Sequence, residues 1–272
     1  MHAARAPSPI EPELLMLAYR SGIFPMADRR DDPEVFWIEP RLRAILPLDG
    51  FRMSHSLGRT LRRGRFIVTC NRAFAEVMEA CAAPRPVPVG EDGGSWISHR
   101  IQASYENLHR LGHAHSIECW RSGPDGDSRL VGGLYGVGFD GVFCGESMFS
   151  REPDASKVAL AWLVAALRRG GAALLDCQFM TPHLASLGAV EMSQKRYLTL
   201  LQAAQSSSQS SSGGVAGAGS GATVSGVGVA EAVGAGVLPL PAAFAALLGD
   251  AASAGLASSP GKLIAQALTQ TS

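Results

Sequence analysis

Asp176 and Gln178 lie two apart in the short apolar run Leu174-Leu175-Asp176-Cys177-Gln178, so on a β-strand both side chains project to one face. A carboxamide is not a base by itself. Polarised by a nearby carboxylate, it can orient an incoming amine and take over part of its positive charge. Glu146, between Gly145 and Ser147 near the end of a hairpin strand, adds a carboxylate suited to an ammonium through charge-assisted hydrogen bonds. Residue type alone also allows plainer roles, a strand-ending Asp bonded to loop amides and an ordinary surface Glu. Between Gly50 and Arg72 there are six arginines (52, 59, 62, 63, 65 and 72) and no acid. On a helix over 55–63, Arg59, Arg62 and Arg63 occupy adjoining faces. Such a patch grips a phosphate backbone without reading sequence, although a solvated helix face has the same composition.

Other reactive residue types do not converge. His109, His113 and His115 fall at a helix end and on a strand and form no metal-ligand set. The five cysteines, at 70, 81, 119, 144 and 177, are odd in number and show no CxxC spacing. They fit a reduced, cytoplasmic protein rather than a disulfide scaffold. Cys144 and Cys177 read as small core residues. Gly133, Gly136 and Gly138 do not match a dinucleotide loop and instead allow close backbone approach in a strand pair.

The elements that must position these residues follow from periodicity. Apolar spacing predicts helices over 11–22, 55–63, 72–81, 98–111 and 153–170, the third with Asn71 and the fourth with Ser98 as N-cap. Period-two stretches predict strands over 66–70, 115–120, 130–137 and 142–148, the last two joined at Asp140-Gly141. Residues 36–37 and 44–48 read as extended, 174–178 as a buried strand, with a helical turn near His183 and a helix around 197–201. Residues 84–94 read as a loop. The result is an α+β pattern.

Charge divides the chain. The 272 residues carry 24 basic and 24 acidic side chains, yet Ala203 to Ser272 holds only Glu231, Asp250 and Lys262. Residues 205–236 are Ser, Gly, Ala and Val with one charge, a composition expected to stay disordered and too rich in Gly and Ser for a membrane span. Short helices over 241–252 and 262–268 have no visible partner. The expected division is 1–90, an N-terminal domain with the basic segment; 91–204, an acyltransferase-like catalytic domain; and 205–272, a low-complexity Ser/Gly/Ala tail expected to be disordered. The N-terminus has no apolar secretory segment.

Longer motifs carry a resemblance. Leu17-Ala-Tyr-Arg-Ser-Gly-Ile-Phe-Pro25, Ser95-Trp-Ile97, Leu111-Gly-His-Ala-His-Ser-Ile-Glu118, Leu130-Val-Gly-Gly-Leu-Tyr-Gly136, Phe143-Cys-Gly-Glu-Ser-Met-Phe-Ser150, Leu175-Asp-Cys-Gln178 and His183-Leu-Ala-Ser-Leu-Gly-Ala189 resemble the leucyl/phenylalanyl-tRNA–protein transferases over roughly residues 10–202. The resemblance implies a small N-terminal α/β domain and a catalytic domain related to the GCN5-type N-acyltransferases. It implies transfer of Leu or Phe, sometimes Met, from charged tRNA to proteins beginning with Arg or Lys, which marks them for N-degron degradation. The reaction needs no cofactor or metal, and the expected state is a cytoplasmic monomer. By resemblance, Asp176 and Gln178 carry catalysis and Glu146 holds the α-ammonium of the donor amino acid. Leu134, Phe143, Met148, Leu160, Leu163 and Leu175 match pocket positions, and all are apolar here. Trp96 stacks on the terminal adenine. Met26 stands where other members have an aromatic residue, which predicts one-sided aromatic stacking. Arg59, Arg62, Arg63 and Arg65 meet the acceptor stem.

Two other functions fit parts of the pattern. An acetyl-CoA-dependent N-acetyltransferase would need a Gly-rich, basic turn before the helix that follows the central strand. Ser150-Arg-Glu-Pro-Asp-Ala155 has no glycine and two acids. A non-catalytic tRNA- or degron-binding protein has no need of Asp176, Gln178 and Glu146 together.

Overall fold

The structure is a computed structural model that describes residues 8–84, 94–123, 125–212 and 237–269, with side chains of 208–212 left aside. In chain order the elements are α1 (Pro12–Arg20), β1 (Phe24–Met26), β2 (Phe36–Ile38), β3 (Leu42–Ile45), α2 (His55–Arg62), β4 (Ile67–Cys70), α3 (Phe74–Ala82), α4 (His99–Arg110), β5 (Ala114–Ser122), β6 (Ser128–Phe139), β7 (Val142–Ser150), α5 (Ala155–Arg169), β8 (Leu174–Gln178), α6 (Pro182–Ser186), β9 (Val190–Ser193), α7 (Gln194–Ser212), α8 (Leu240–Ser253) and α9 (Pro260–Thr269). This is the expected α+β class.

A seven-stranded sheet runs β4-β5-β6-β7-β8-β3-β9, antiparallel throughout except for the β7–β8 pair. Parallel pairing needs a crossover, which α5 provides. β1 and β2 form a separate two-stranded ribbon. Residues 42–45 and 67–70, which precede the boundary expected at 90, are strands of the large sheet.

Two apolar layers cover the sheet. One holds α5, α8 and α9 with Leu134, Phe143 and Leu175. The other holds α1, α3 and α4 with Tyr135, Cys144 and Tyr197. The β5–β6–β7 meander packs tightly because its glycines give up their side chains. A Cβ on Gly136 would lie 2.2 Å from the Cys144 carbonyl oxygen, and one on Gly133 would lie 2.8 Å from that of Ile117.

Several local expectations change. Asn71 is not the cap of α3: it adopts φ 60°, its side-chain oxygen accepts from the Ser116 N–H at 2.9 Å, and the helix starts two residues later, behind Ala73. The amide fixes the β4–α3 corner to β5 instead. Ser98 does cap α4, accepting from Ile101 N–H at 3.3 Å. β9 and β1 are additional strands.

The largest departure lies after residue 204. Residues 205–212 continue α7, and the two helices expected over 241–252 and 262–268 form as α8 and α9 but do have a partner, packing on α5. The physical reason is α5 itself. Twelve of its fifteen residues are buried, from Ala155 to Leu167, so it is apolar all round and needs cover on both sides. The sheet covers one side and α8–α9 the other, with the Trp162 and Phe244 rings 5.2 Å apart. Residues 213–236 and 270–272 of the expected tail and most of the loop expected at 84–94 lie outside the described residues.

Candidate active site

Asp176 is fully buried on β8, and its carboxylate is saturated. Arg43 from β3 grips it with two parallel bonds, Nε to Oδ1 at 2.9 Å and Nη2 to Oδ2 at 2.5 Å. The Tyr197 hydroxyl donates to Oδ2 at 3.1 Å and the Gln178 main-chain N–H to Oδ1 at 2.9 Å. Arg43 is also buried, donates to the Gly22 carbonyl at 3.0 Å and lies over the rings of Tyr197 and Phe24. Burial works against its charge, but the Asp176 carboxylate outweighs burial and holds the guanidinium above its ordinary pKa. The planar fork of arginine matches a carboxylate in a way lysine cannot.

Gln178 ends β8 at φ 56°, a left-handed conformation that a side chain with Cβ rarely adopts. Its Nε2 donates to Glu146 Oε1 at 3.1 Å. That bond fixes the amide so that its oxygen remains available as an acceptor. Glu146 Oε2 accepts from the Tyr105 hydroxyl at 3.3 Å, and the Tyr105 hydroxyl is itself bonded to that of Tyr19. Asp176 therefore touches Gln178 through the main chain, and the carboxylate that polarises the side-chain amide is Glu146. Burial pushes the Glu146 carboxyl up to about 8, and the nearby Asp176 charge adds to that; the Tyr19 and Tyr105 hydroxyls and the Arg43 charge pull the other way.

Glu146 and Gln178 sit at a cavity of about 460 Å3. Leu134, Met148, Leu160, Leu163, Leu175 and Leu184 give it an apolar wall. Phe24, Met26, Trp96, Phe179, Thr181 and His183 also line it. The Ala27 N–H donates to the Trp96 carbonyl at 3.1 Å, which ties Trp96 beside Met26. Nine of the residues given a site role from sequence thus meet in one cavity, Met26, Trp96, Leu134, Glu146, Met148, Leu160, Leu163, Leu175 and Gln178, and Cys177, read as a core residue, lines it too.

Two others do not line it. Asp176 stands behind, in its ion pair. Phe143 pairs with Gly138 at the opposite end of β7 and lines a separate cavity of about 270 Å3 with His113, His115 and Phe139. Its register, five residues from Met148, carries it away from Glu146.

Arg59, Arg62 and Arg63 are exposed, and no ion pair joins any of them to an acid among the described residues. Arg65 differs: it pairs at 3.3 Å with Glu152, which also takes Arg121 at 2.5 Å and Arg129 at 3.3 Å. His109 stacks on Phe74 and bonds the Ala114 carbonyl, and His115 bonds Asn71. Burial pushes the Cys177 thiol well up, so it stays protonated.

Sequence reasoning missed Arg43, Tyr19, Tyr105 and Tyr197, which hold the two carboxylates. It also missed Tyr135 and His183, which line the cavity; the Tyr135 hydroxyl and His183 Nε2 are buried and have no hydrogen-bond partner among the described residues. One signal was available: an arginine inside the apolar strand Leu42-Arg43-Ala44-Ile45-Leu46 implies a buried counter-charge.

Residues 45–202 match the family model described as leucyl/phenylalanyl-tRNA protein transferase, and residues 8–41 match that of the family's N-terminal domain. A leucyl/phenylalanyl-tRNA–protein transferase of Novosphingobium aromaticivorans is 63% identical over 98% of this chain and 98% of its own length. Those of Rhizorhabdus wittichii and Zymomonas mobilis are 58% and 54% identical, over 72% and 73% of this chain and 75% and 70% of their own lengths. With both family models matched and this identity extending over nearly its whole length, the chain belongs to the leucyl/phenylalanyl-tRNA protein transferase family.

Proposed function

We propose that the chain transfers Leu or Phe, and also Met, from charged tRNA to the α-amine of proteins that begin with Arg or Lys, marking them for N-degron degradation. The observation that carries this reading is the pairing of Glu146 and Gln178 in the lining of an apolar cavity, in a chain of this family. The cavity takes the uncharged side chain, and Met148 adapts to branched or aromatic shapes. Glu146 holds the donor's α-ammonium, whose positive charge favours the ionised carboxylate and offsets the burial that keeps the empty site's carboxyl protonated. Trp96 stacks on the terminal adenine with Met26 packed beside it. The acceptor amine attacks the ester carbonyl: a C–N bond forms, the C–O bond to the ribose breaks, and the amine proton ends on the freed ribose hydroxyl. The Gln178 amide oxygen, its Nε2 anchored on Glu146, accepts from the amine and orients it. Asp176 and Arg43 act as positioning residues by fixing the main chain of Gln178.

The cytoplasm is the compartment in this reading, because charged tRNA is the donor. Among the described residues no helix is long and apolar enough to cross a membrane. The parallel β7–α5–β8 unit supports the kinship with GCN5-type N-acyltransferases. An acetyl-CoA donor is disfavoured by the β7–α5 connection. There Glu152 is enclosed by arginines, and Asp154, at φ 70°, bonds Thr60 at the start of α5, where pyrophosphate would need to sit.

The test supplies purified protein with Leu- or Phe-charged tRNA and a peptide beginning with Arg, alongside acetyl-CoA. Transfer of the aminoacyl group alone is expected. Acetyl transfer, or no product where another family member is active, overturns the reading.

A further inference from the structure

The family model ends at residue 202, before α8 begins. The helix pair α8–α9 is nevertheless anchored at several points. The Leu238 N–H donates to the Gly170 carbonyl at 2.9 Å, Arg169 pairs with Asp250 at 2.6 Å, and Arg168 donates to the Ala267 carbonyl at 3.1 Å. α9 then reaches past α5 to α2. The approach is backbone to backbone: a Cβ on Gly261 would lie 2.3 Å from the Leu61 carbonyl oxygen, a separation only glycine permits.

α2 needs such support. It has eight residues, well below the roughly 12–15 that an isolated helix needs to be even marginally stable. Its buried side is Leu57, Gly58 and Leu61, and its exposed positions include Arg59 and Arg62, with Arg63 at its C-cap. A Thr60–Asp154 bond at 3.1 Å ties it to the start of α5. α9 closes the remaining side.

We propose that the C-terminal helix pair is a brace that holds α2 in the orientation in which Arg59, Arg62 and Arg63 engage the phosphate backbone of tRNA. This rests on the reading of those arginines given above. The pair is then a positioning element for the RNA grip, separate from the reaction cavity. Disturbing its contact with α2 weakens the hold on the body of the tRNA and leaves the chemistry at its 3′ end in place.

The experiment uses the full chain with Gly261→Leu and two donors, leucyl-tRNA and the leucyl ester of adenosine, which has the reacting end and no stem. Affinity for uncharged tRNA is read by fluorescence anisotropy. About tenfold weaker tRNA binding and a matching rise in KM for leucyl-tRNA are expected, with transfer from leucyl-adenosine within twofold of the parent. In an Arg59→Ala/Arg62→Ala/Arg63→Ala background, Gly261→Leu should add less than twofold. An equal loss with both donors, no loss with either, or a full additional loss in the arginine-free background overturns the proposal. If Gly261→Leu does not melt as a folded protein, Gly261→Ala with the same readouts decides. A parent chain inactive on both donors would refute the proposed function. A triple arginine variant with unchanged tRNA affinity in an active enzyme would remove the RNA grip from α2, and the brace with it.

Discussion

Burial sets the protonation of Glu146. Unfolded, this carboxyl is ionised above its ordinary pKa of 4.5; folded, it keeps its proton up to about pH 8. The stability linked to the neutral form is therefore lost as pH rises from about 4.5 to 8, by at most about 1.4 kcal/mol per pH unit, and is constant above. Glu146→Gln should remove this dependence. Thermal melts of parent and variant are expected to diverge steadily from pH 5 to pH 8; a constant offset would contradict it. The same variant should lower kcat/KM for transfer by about 100-fold or more, because the amide cannot hold an ammonium or polarise Gln178. At Arg43 the effect is on folding. Arg43→Ala leaves the Asp176 carboxylate buried without its counter-charge and should cost about 3–5 kcal/mol in urea unfolding. Arg43→Lys should recover only part of this, since it keeps the charge and loses the two-bond geometry.

Phe244 places the next prediction on α8. Its ring fills the space over Trp162, and Phe244→Ala should destabilise the chain by about 3–5 kcal/mol, measured by chemical denaturation. An unchanged midpoint would mean that α8 does not cover α5. Elements legible in the sequence were those whose signals are local. The Ser98 cap, the Asp140-Gly141 turn and the alternation of β5, β6 and β7 need only neighbours in the chain. The cavity residues were legible because a resemblance named them as a set. Arg43 was not, because its partner lies 133 residues away. Asn71 misled because an amide that could cap α3 had a second use, bonding the main chain of β5. The C-terminal helices were legible as short apolar stretches over 241–252 and 262–268, but their partner was not. The evidence for that partner lay in α5, whose all-round apolar surface required a second cover.

The neutral net charge of the whole chain conceals a local excess that bears on its largest substrate. Arg59, Arg62 and Arg63 are exposed, while Arg65 shares Glu152 with two other arginines. Replacing the first three with alanine should reduce the slope of log affinity for tRNA against log salt by about 2–3, and Arg65→Ala should change it less. Filter binding across a salt series measures both, and an unchanged slope in the triple variant would place the RNA elsewhere.

The position of β3 also bears on how the chain is made. This strand leaves the ribosome early, yet its neighbours in the sheet are β8 and β9. At about 5–20 residues per second, Arg43 waits on the order of ten seconds for Asp176 to be synthesised. Until then a buried-type cation and two bare strand edges stay exposed to solvent and to chaperones. The contact that fixes Gln178 thus forms late in synthesis, so a nascent or truncated chain cannot hold the reactive arrangement.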